Sequence, residues 1–171
     1  MKRLALATAL TAALATPIHA EESRELGSHE HGHVELKVAI DGDTLLMELE
    51  APGENIVGFE HAATTDEQKS AVEAASAQLK DADAVIVLPA AAGCTLASAK
   101  SELHQEGDHN AFEASYSYTC SDIGKLASFS TKLFTLYPSI KEIEVQYATP
   151  GGQGEVELEA GSTVVNLPTT S

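Results

Sequence analysis

The chain has 171 residues, with 26 acidic against 10 basic side chains, a formal net charge of −16 and 43% hydrophobic residues. Such a charge repels phosphate and argues against nucleic acid and anionic membrane as partners. With no tryptophan and only 5% aromatic residues, a sugar-stacking or peptide-reading groove lacks its usual materials.

Lys2 and Arg3, the apolar stretch Leu4 to Ala15 and the region Pro17 to Ala20 read as a secretory signal over residues 1–20, which places the protein in the periplasm. Its removal takes away two of the 10 basic residues and none of the 26 acidic ones, leaving a formal charge of −18. No run reaches the roughly 20 apolar residues of a bilayer crossing, so no membrane insertion is expected. Residues 21–28 are polar and read as a mobile leader. The remainder is long enough for one domain with a real core.

His29-Glu30-His31-Gly32-His33 follows. In an extended backbone, imidazoles at every second residue point the same way, and Val34, Leu36, Val38 and Ile40 then form an apolar set on the opposite face. The spacing predicts a strand that buries one side and offers His29, His31, His33 and Glu35 on the other. Three in-line residues on a rigid strand cannot easily fill one tetrahedral shell, so a second element must contribute or the backbone must bend at Gly32.

Residues 33 to 40 and 43 to 51 alternate and read as a hairpin turning at Asp41-Gly42. Ala51-Pro52-Gly53-Glu54-Asn55 breaks the second strand, and Ile56 to His61 reads as an ordered loop. Thr64 with Glu67 matches a capping box, and Val72, Ala75 and Leu79 share a face, predicting a helix over 65–80. Val85 to Leu88 is too short to assign. Residues 94–104 and 109–120 read as a second hairpin, with Phe112, Tyr116, Tyr118 and Cys120 on one face. A helical turn near Asp122 to Leu126, an element over Phe129 to Phe134 closed by Tyr137-Pro138, and a third hairpin over 141–148 and 153–160 complete the pattern.

The expected fold class is α+β: antiparallel hairpins and sheets flanked by a few helices, compatible with two similar halves. One domain is expected over 29–160, with a sub-domain break near 82–93 as an option, and a frayed C-terminal tail over 161–171. The two cysteines, Cys94 and Cys120, read as a disulfide in an exported protein, in preference to a pair of thiolate zinc ligands.

Three histidines in five residues is a composition that favours metal binding over a merely polar edge. Neutral imidazole suits Zn(II), Cu(II) and Ni(II). His61, beside Glu60, is the candidate fourth ligand of the first cluster, against the alternative of a structural hydrogen-bonding residue. His104 and His109 flank a turn with Glu106 and Asp108 and form a second candidate pair, weighed against an ordinary solvated hairpin tip. No nucleophile elbow, phosphate loop or HExxH helix appears, so a non-enzymatic role is expected.

Taken together, the following residues resemble the ZrgA-type zinc-regulated periplasmic zinc-binding proteins: His29-x-His31-Gly32-His33-Val34-x-Leu36, then Asn55-Ile56-Val57-Gly58-Phe59-Glu60-His61-Ala62, Ala91-Ala92-Gly93-Cys94, Cys120, Leu133-Phe134-x-x-Tyr137-Pro138 and Thr149-x-Gly151-Gly152-Gln153. The resemblance implies a protein made under zinc limitation that binds Zn2+ and assists a high-affinity zinc ABC importer through its periplasmic component. Family members often carry a long His, Asp and Glu-rich insert between the two middle strands. Here it is reduced to His104-Gln105-Glu106-Gly107-Asp108-His109, which moves the expected binding weight to the amino-terminal cluster. The alternatives are an envelope protein-interaction module with incidental histidines, or a copper or nickel carrier.

Overall fold

A computed structural model describes residues 31–168, apart from the side chain of Glu106. The expected signal, the leader and His29 lie outside the described residues. Alternation builds the first hairpin as expected: β1 (His33–Asp41) and β2 (Thr44–Pro52) pair antiparallel, with Asp41 opposite Thr44, so the turn residues are Gly42 and Asp43, one position later than anticipated. The second hairpin joins β4 (Cys94–Glu106) to β5 (His109–Cys120), and the third joins β7 (Glu142–Thr149) to β8 (Gly152–Glu159).

All three hairpins merge into one six-stranded sheet in the order β4-β5-β2-β1-β7-β8. Strands on both sides of residues 82–93 therefore share this sheet. The pairing of β1 with β7 is parallel, a departure from the expected all-antiparallel arrangement. Two hairpins placed side by side can meet in either sense, and only the path between them decides which. That path runs through β6 (Ser128–Thr131) and the short helix α4 (Leu133–Leu136).

One face of the sheet is the core. Val34, Leu36, Val38, Leu45, Met47, Leu49, Phe112, Tyr116, Ile143 and Val145 are all buried on it, each contributing on the order of 1.5–3 kcal/mol of apolar burial. The helix α2 (Asp66–Lys80) covers part of this face with Ala75 and Leu79. The Tyr116 hydroxyl donates to the Leu79 carbonyl at 2.6 Å and ties helix to sheet. Burial pushes the pKa of Tyr116 up, which keeps it a donor at any ordinary pH.

The predicted helix is present, but its cap is shifted by one residue. Thr65 Oγ1 accepts from the Gln68 amide at 3.2 Å while Gln68 Oε1 accepts from the Thr65 amide at 3.2 Å, so the capping box is Thr65 with Gln68 rather than Thr64 with Glu67. Both registers fit the motif; the one adopted also lets Gln68 accept from the Thr64 amide at 2.9 Å. Thr65→Ala is expected to lower stability by about 1 kcal/mol, read as a lower urea midpoint with unchanged slope.

Several connections differ from the sequence reading. Gly53–Val57, expected to be irregular, forms the short helix α1 immediately after β2. Residues 82–87 form a helical turn α3 (Ala82–Val85) and the strand β3 (Ile86–Val87). The segment from Gly161, read as frayed, supplies β9 (Val164–Asn166), with Val165 and Leu167 buried. Strand β9 completes a second, three-stranded sheet in the order β3-β6-β9. Three residues are too short for alternation to be visible, and their burial depends on a partner strand far away in sequence.

Cys94 and Cys120 lie opposite each other at the open end of the second hairpin, away from its turn, and form a disulfide. Their sulfurs are thereby removed from any ligand set, as expected of the disulfide reading. Among the described residues no helix is long and apolar enough to cross a membrane.

Candidate metal centre

The expected histidine row does not persist as a straight strand. His31 and Gly32 form a turn, and β1 begins only at His33. Gly32 has φ +94°, a conformation L side chains rarely adopt, and an added Cβ would lie 2.8 Å from Lys141 Cγ. The bend sends His31 and His33 to different partners.

Two buried asparagines hold the loops that carry the imidazoles. Asn55, on α1, accepts from the Gly32 amide and donates to the His33 carbonyl, both at 2.7 Å, so a single side chain grips the backbone between the two histidines. Lys141 and Glu142 amides donate to the Gly32 carbonyl at 2.7 and 3.0 Å from the other side. Asn110, at the start of β5, donates to the His61 carbonyl at 2.8 Å. It packs against Gly53, where any Cβ would collide with Asn110 and the Phe59 carbonyl.

Glu60 is the centre of the arrangement. Its Oε1 lies 3.0 Å from His31 Nε2 and its Oε2 lies 2.8 Å from His109 Nδ1. One carboxylate thus joins two imidazoles separated from it by 29 and 49 residues. Burial would raise the pKa of Glu60, but the hydrogen bond from His109 and the charge of His31 outweigh it, and the pKa is lowered. A carboxyl lowered in the folded state stabilises the fold above its ordinary value and loses that contribution as pH falls through the lowered one. At neutral pH Glu60 is an anion.

With each imidazole donating to Glu60, the opposite nitrogens, His31 Nδ1 and His109 Nε2, carry the lone pairs. A carboxylate that orients an imidazole in this way raises its basicity toward a metal. His31 is 68% and His109 54% exposed, so an ion can reach them from solvent. His61, adjacent in sequence, donates from Nδ1 to the Ala62 carbonyl at 2.9 Å, which leaves its Nε2 as the lone-pair nitrogen. Its ring stacks on Phe59 with centroids 5.1 Å apart.

The other expected ligands fall into separate groups. His33 faces β7, with Nδ1 3.3 Å from Glu142 and Nε2 3.9 Å from Glu144. Glu35 shares the outer face of β1 with His33 and pairs with Lys37 at 3.4 Å. His104 lies 3.3 Å from Glu113 and 3.7 Å from Glu102. The turn that was expected to unite His104 and His109 thus sends them to different carboxylates. Among the described residues no three His, Cys, Asp or Glu side chains converge as a ready-made metal-holding set.

Sequence reasoning passed over Glu60, Glu142, Glu144, Glu102 and Glu113 as members of these groups. Glu60 carried one usable signal, its place inside the Gly58-Phe59-Glu60-His61-Ala62 string. Glu102 carried another, its place two residues before His104 on the same strand; Glu113, Glu142 and Glu144 carried none, because strand register brings them to the histidines.

Among curated proteins none matches this sequence significantly. The family profile described as ZrgA family zinc uptake protein matches residues 28–167, a span that takes in every strand of the described residues and every candidate ligand. A chain matched over nearly its whole folded length, with imidazoles from two distant segments held on one carboxylate, belongs to the ZrgA family of zinc uptake proteins.

Proposed function

We propose that this protein is a non-enzymatic periplasmic zinc carrier: it captures and buffers Zn(II) and passes it to the periplasmic component of a zinc ABC importer. The observation that carries the reading is the Glu60 bridge between His31 and His109. It gives two partly exposed imidazoles oriented by one carboxylate, in a chain of the zinc uptake family. His61, and His29 two residues before His31, are the candidates to complete the shell; His33 with Glu35 and His104 with its carboxylates offer weaker secondary positions.

An open ligand set suits a carrier. Exposed imidazoles can be surrendered one at a time to a recipient's ligands, whereas a closed tetrahedral site exchanges slowly. The strongly acidic surface raises the local cation concentration and speeds encounter.

Isothermal titration of the chain from Glu21 onward with zinc chloride tests the proposal. Saturable uptake is expected at pH 7.5. Imidazoles must be neutral to bind, so affinity is expected to fall at least tenfold by pH 5.5, below the ordinary imidazole range. Glu60 contributes little to that fall, since its lowered pKa keeps it ionised throughout. Absence of uptake at pH 7.5 would refute the reading.

A further inference from the structure

The six-stranded sheet has a second face on which none of the helices among the described residues packs. The helices that pack on the sheet do so on the core side, where Leu79 meets Tyr116, and the opposite side chains of β1, β2, β5 and β7 are half-buried or exposed, apart from Pro52 at the end of β2. Strand register gives this face an unusual order. Glu102 of β4 is opposite Glu113 of β5, Glu113 is opposite Glu50 of β2, Glu50 opposite Glu35 of β1, Glu35 opposite Glu144 of β7, and Glu144 opposite Glu157 of β8. A glutamate therefore stands on every strand along one line, at about 4.8 Å per step.

Like charges directly opposite each other destabilise a sheet, and here the repulsion recurs between every pair of neighbouring strands. The next line supplies Lys100 and Lys37 but also Glu48 and Glu155, so it does not neutralise the first. Beyond it lie Ala39, Leu46 and Ala148, with Leu46 43% exposed. These side chains border an open groove of about 670 Å³ rimmed by Lys37, Glu48 and Glu155. This face thus combines a bar of negative charge with a shallow apolar seat beside it.

We propose that this face docks a protein segment that lays lysine or arginine side chains along the glutamate line and seats one apolar side chain in the groove over Leu46. The charge of the face selects the partner: a neutral or acidic surface would leave the carboxylates facing each other with less water to separate them, whereas a basic one removes the repulsion. The groove adds what charge alone lacks, a fixed position for the partner. Capture here differs from zinc capture, because the carboxylates that pair with the histidines are Glu60, Glu102, Glu113, Glu142 and Glu144, whereas Glu48, Glu50 and Glu157 are separate side chains of this face.

The test uses fluorescence anisotropy at low ionic strength with two labelled oligolysine peptides of equal charge, one with a central leucine and one with serine there. The leucine peptide is expected to bind more tightly, and binding should weaken steeply with salt. The variant Glu48→Gln, Glu50→Gln, Glu157→Gln is expected to bind it about tenfold less well, the sum of three ion pairs on the outer face of the sheet. The control Glu73→Gln, Asp83→Asn, Asp122→Asn removes the same charge from exposed positions elsewhere and is expected to bind within about twofold of the parent. An equal loss in the control, or equal binding of the two peptides, would overturn the proposal. Amide shifts on the unsubstituted protein are a second readout: they should concentrate on β1, β2 and β7, and a scattered pattern would also refute the docking face. The zinc titration on the same variant separates this proposal from the carrier reading.

Discussion

The double variant His31→Ala, His109→Ala is expected to lower zinc affinity about a hundredfold or more at pH 7.5, since each removes an imidazole oriented by Glu60. Glu60→Gln is the sharper experiment. The amide keeps the size of the carboxylate but loses its charge, and it can accept through only one of its two terminal atoms. It cannot serve as anionic acceptor to both His31 at 3.0 Å and His109 at 2.8 Å. A loss of about 10- to 100-fold is expected although the histidines remain. His104→Ala, whose imidazole faces Glu102 and Glu113 instead, is expected to cost only a few-fold. Should His104→Ala prove as damaging as Glu60→Gln, the main site lies at His104 and not at Glu60. The readout is competition with a chromophoric zinc chelator, and circular dichroism of each variant separates lost ligation from lost fold.

The other large effect concerns stability. Replacing both cysteines, Cys94→Ala with Cys120→Ala, is expected to lower the unfolding free energy by about 3.5 kcal/mol. That figure follows from the entropy released when a loop of 26 residues is no longer closed in the unfolded chain. The bond joins directly opposed residues of β4 and β5, so its loss also frees the end of the hairpin against which the Ala90–Ala92 turn packs. The turn is tied there by Ser121 and Asp122 amides donating to the Gly93 and Ala92 carbonyls at 3.2 and 3.0 Å. Urea unfolding of the variant beside the parent, with and without reductant, measures the effect. Reductant should move the parent to the variant's midpoint and leave the variant where it is. A drop well below 1 kcal/mol would mean that the hairpin is held by its strand pairing alone.

Zinc affinity and the disulfide differ in how far each was readable beforehand. The disulfide needs only two cysteines and an oxidising destination. The histidines were conspicuous by composition, and the bend at Gly32 was one of two ways the sequence offered to bring ligands together. What the bend achieves was not readable, because Asn55 and Glu60 act on His31, Gly32 and His33 across 22 to 29 residues. His109 was paired with His104 by nearness along the chain, yet a residue 49 positions away claims it.

Local chemistry alone determined the three hairpins, the long helix, the buried alternating face of each central strand and the cysteine pair. Each depends on residues within a few positions of one another, where side-chain period and turn preference act directly. The tertiary structure decided the parallel meeting of β1 and β7, the recruitment of Val164–Asn166 as a strand, the clasp of Glu60 on two histidines and the line of glutamates across all six strands. These depend on which strands become neighbours and in what register. Register is set by packing the whole apolar face at once, and a single residue of slip would carry every one of those glutamates to the other side of the sheet.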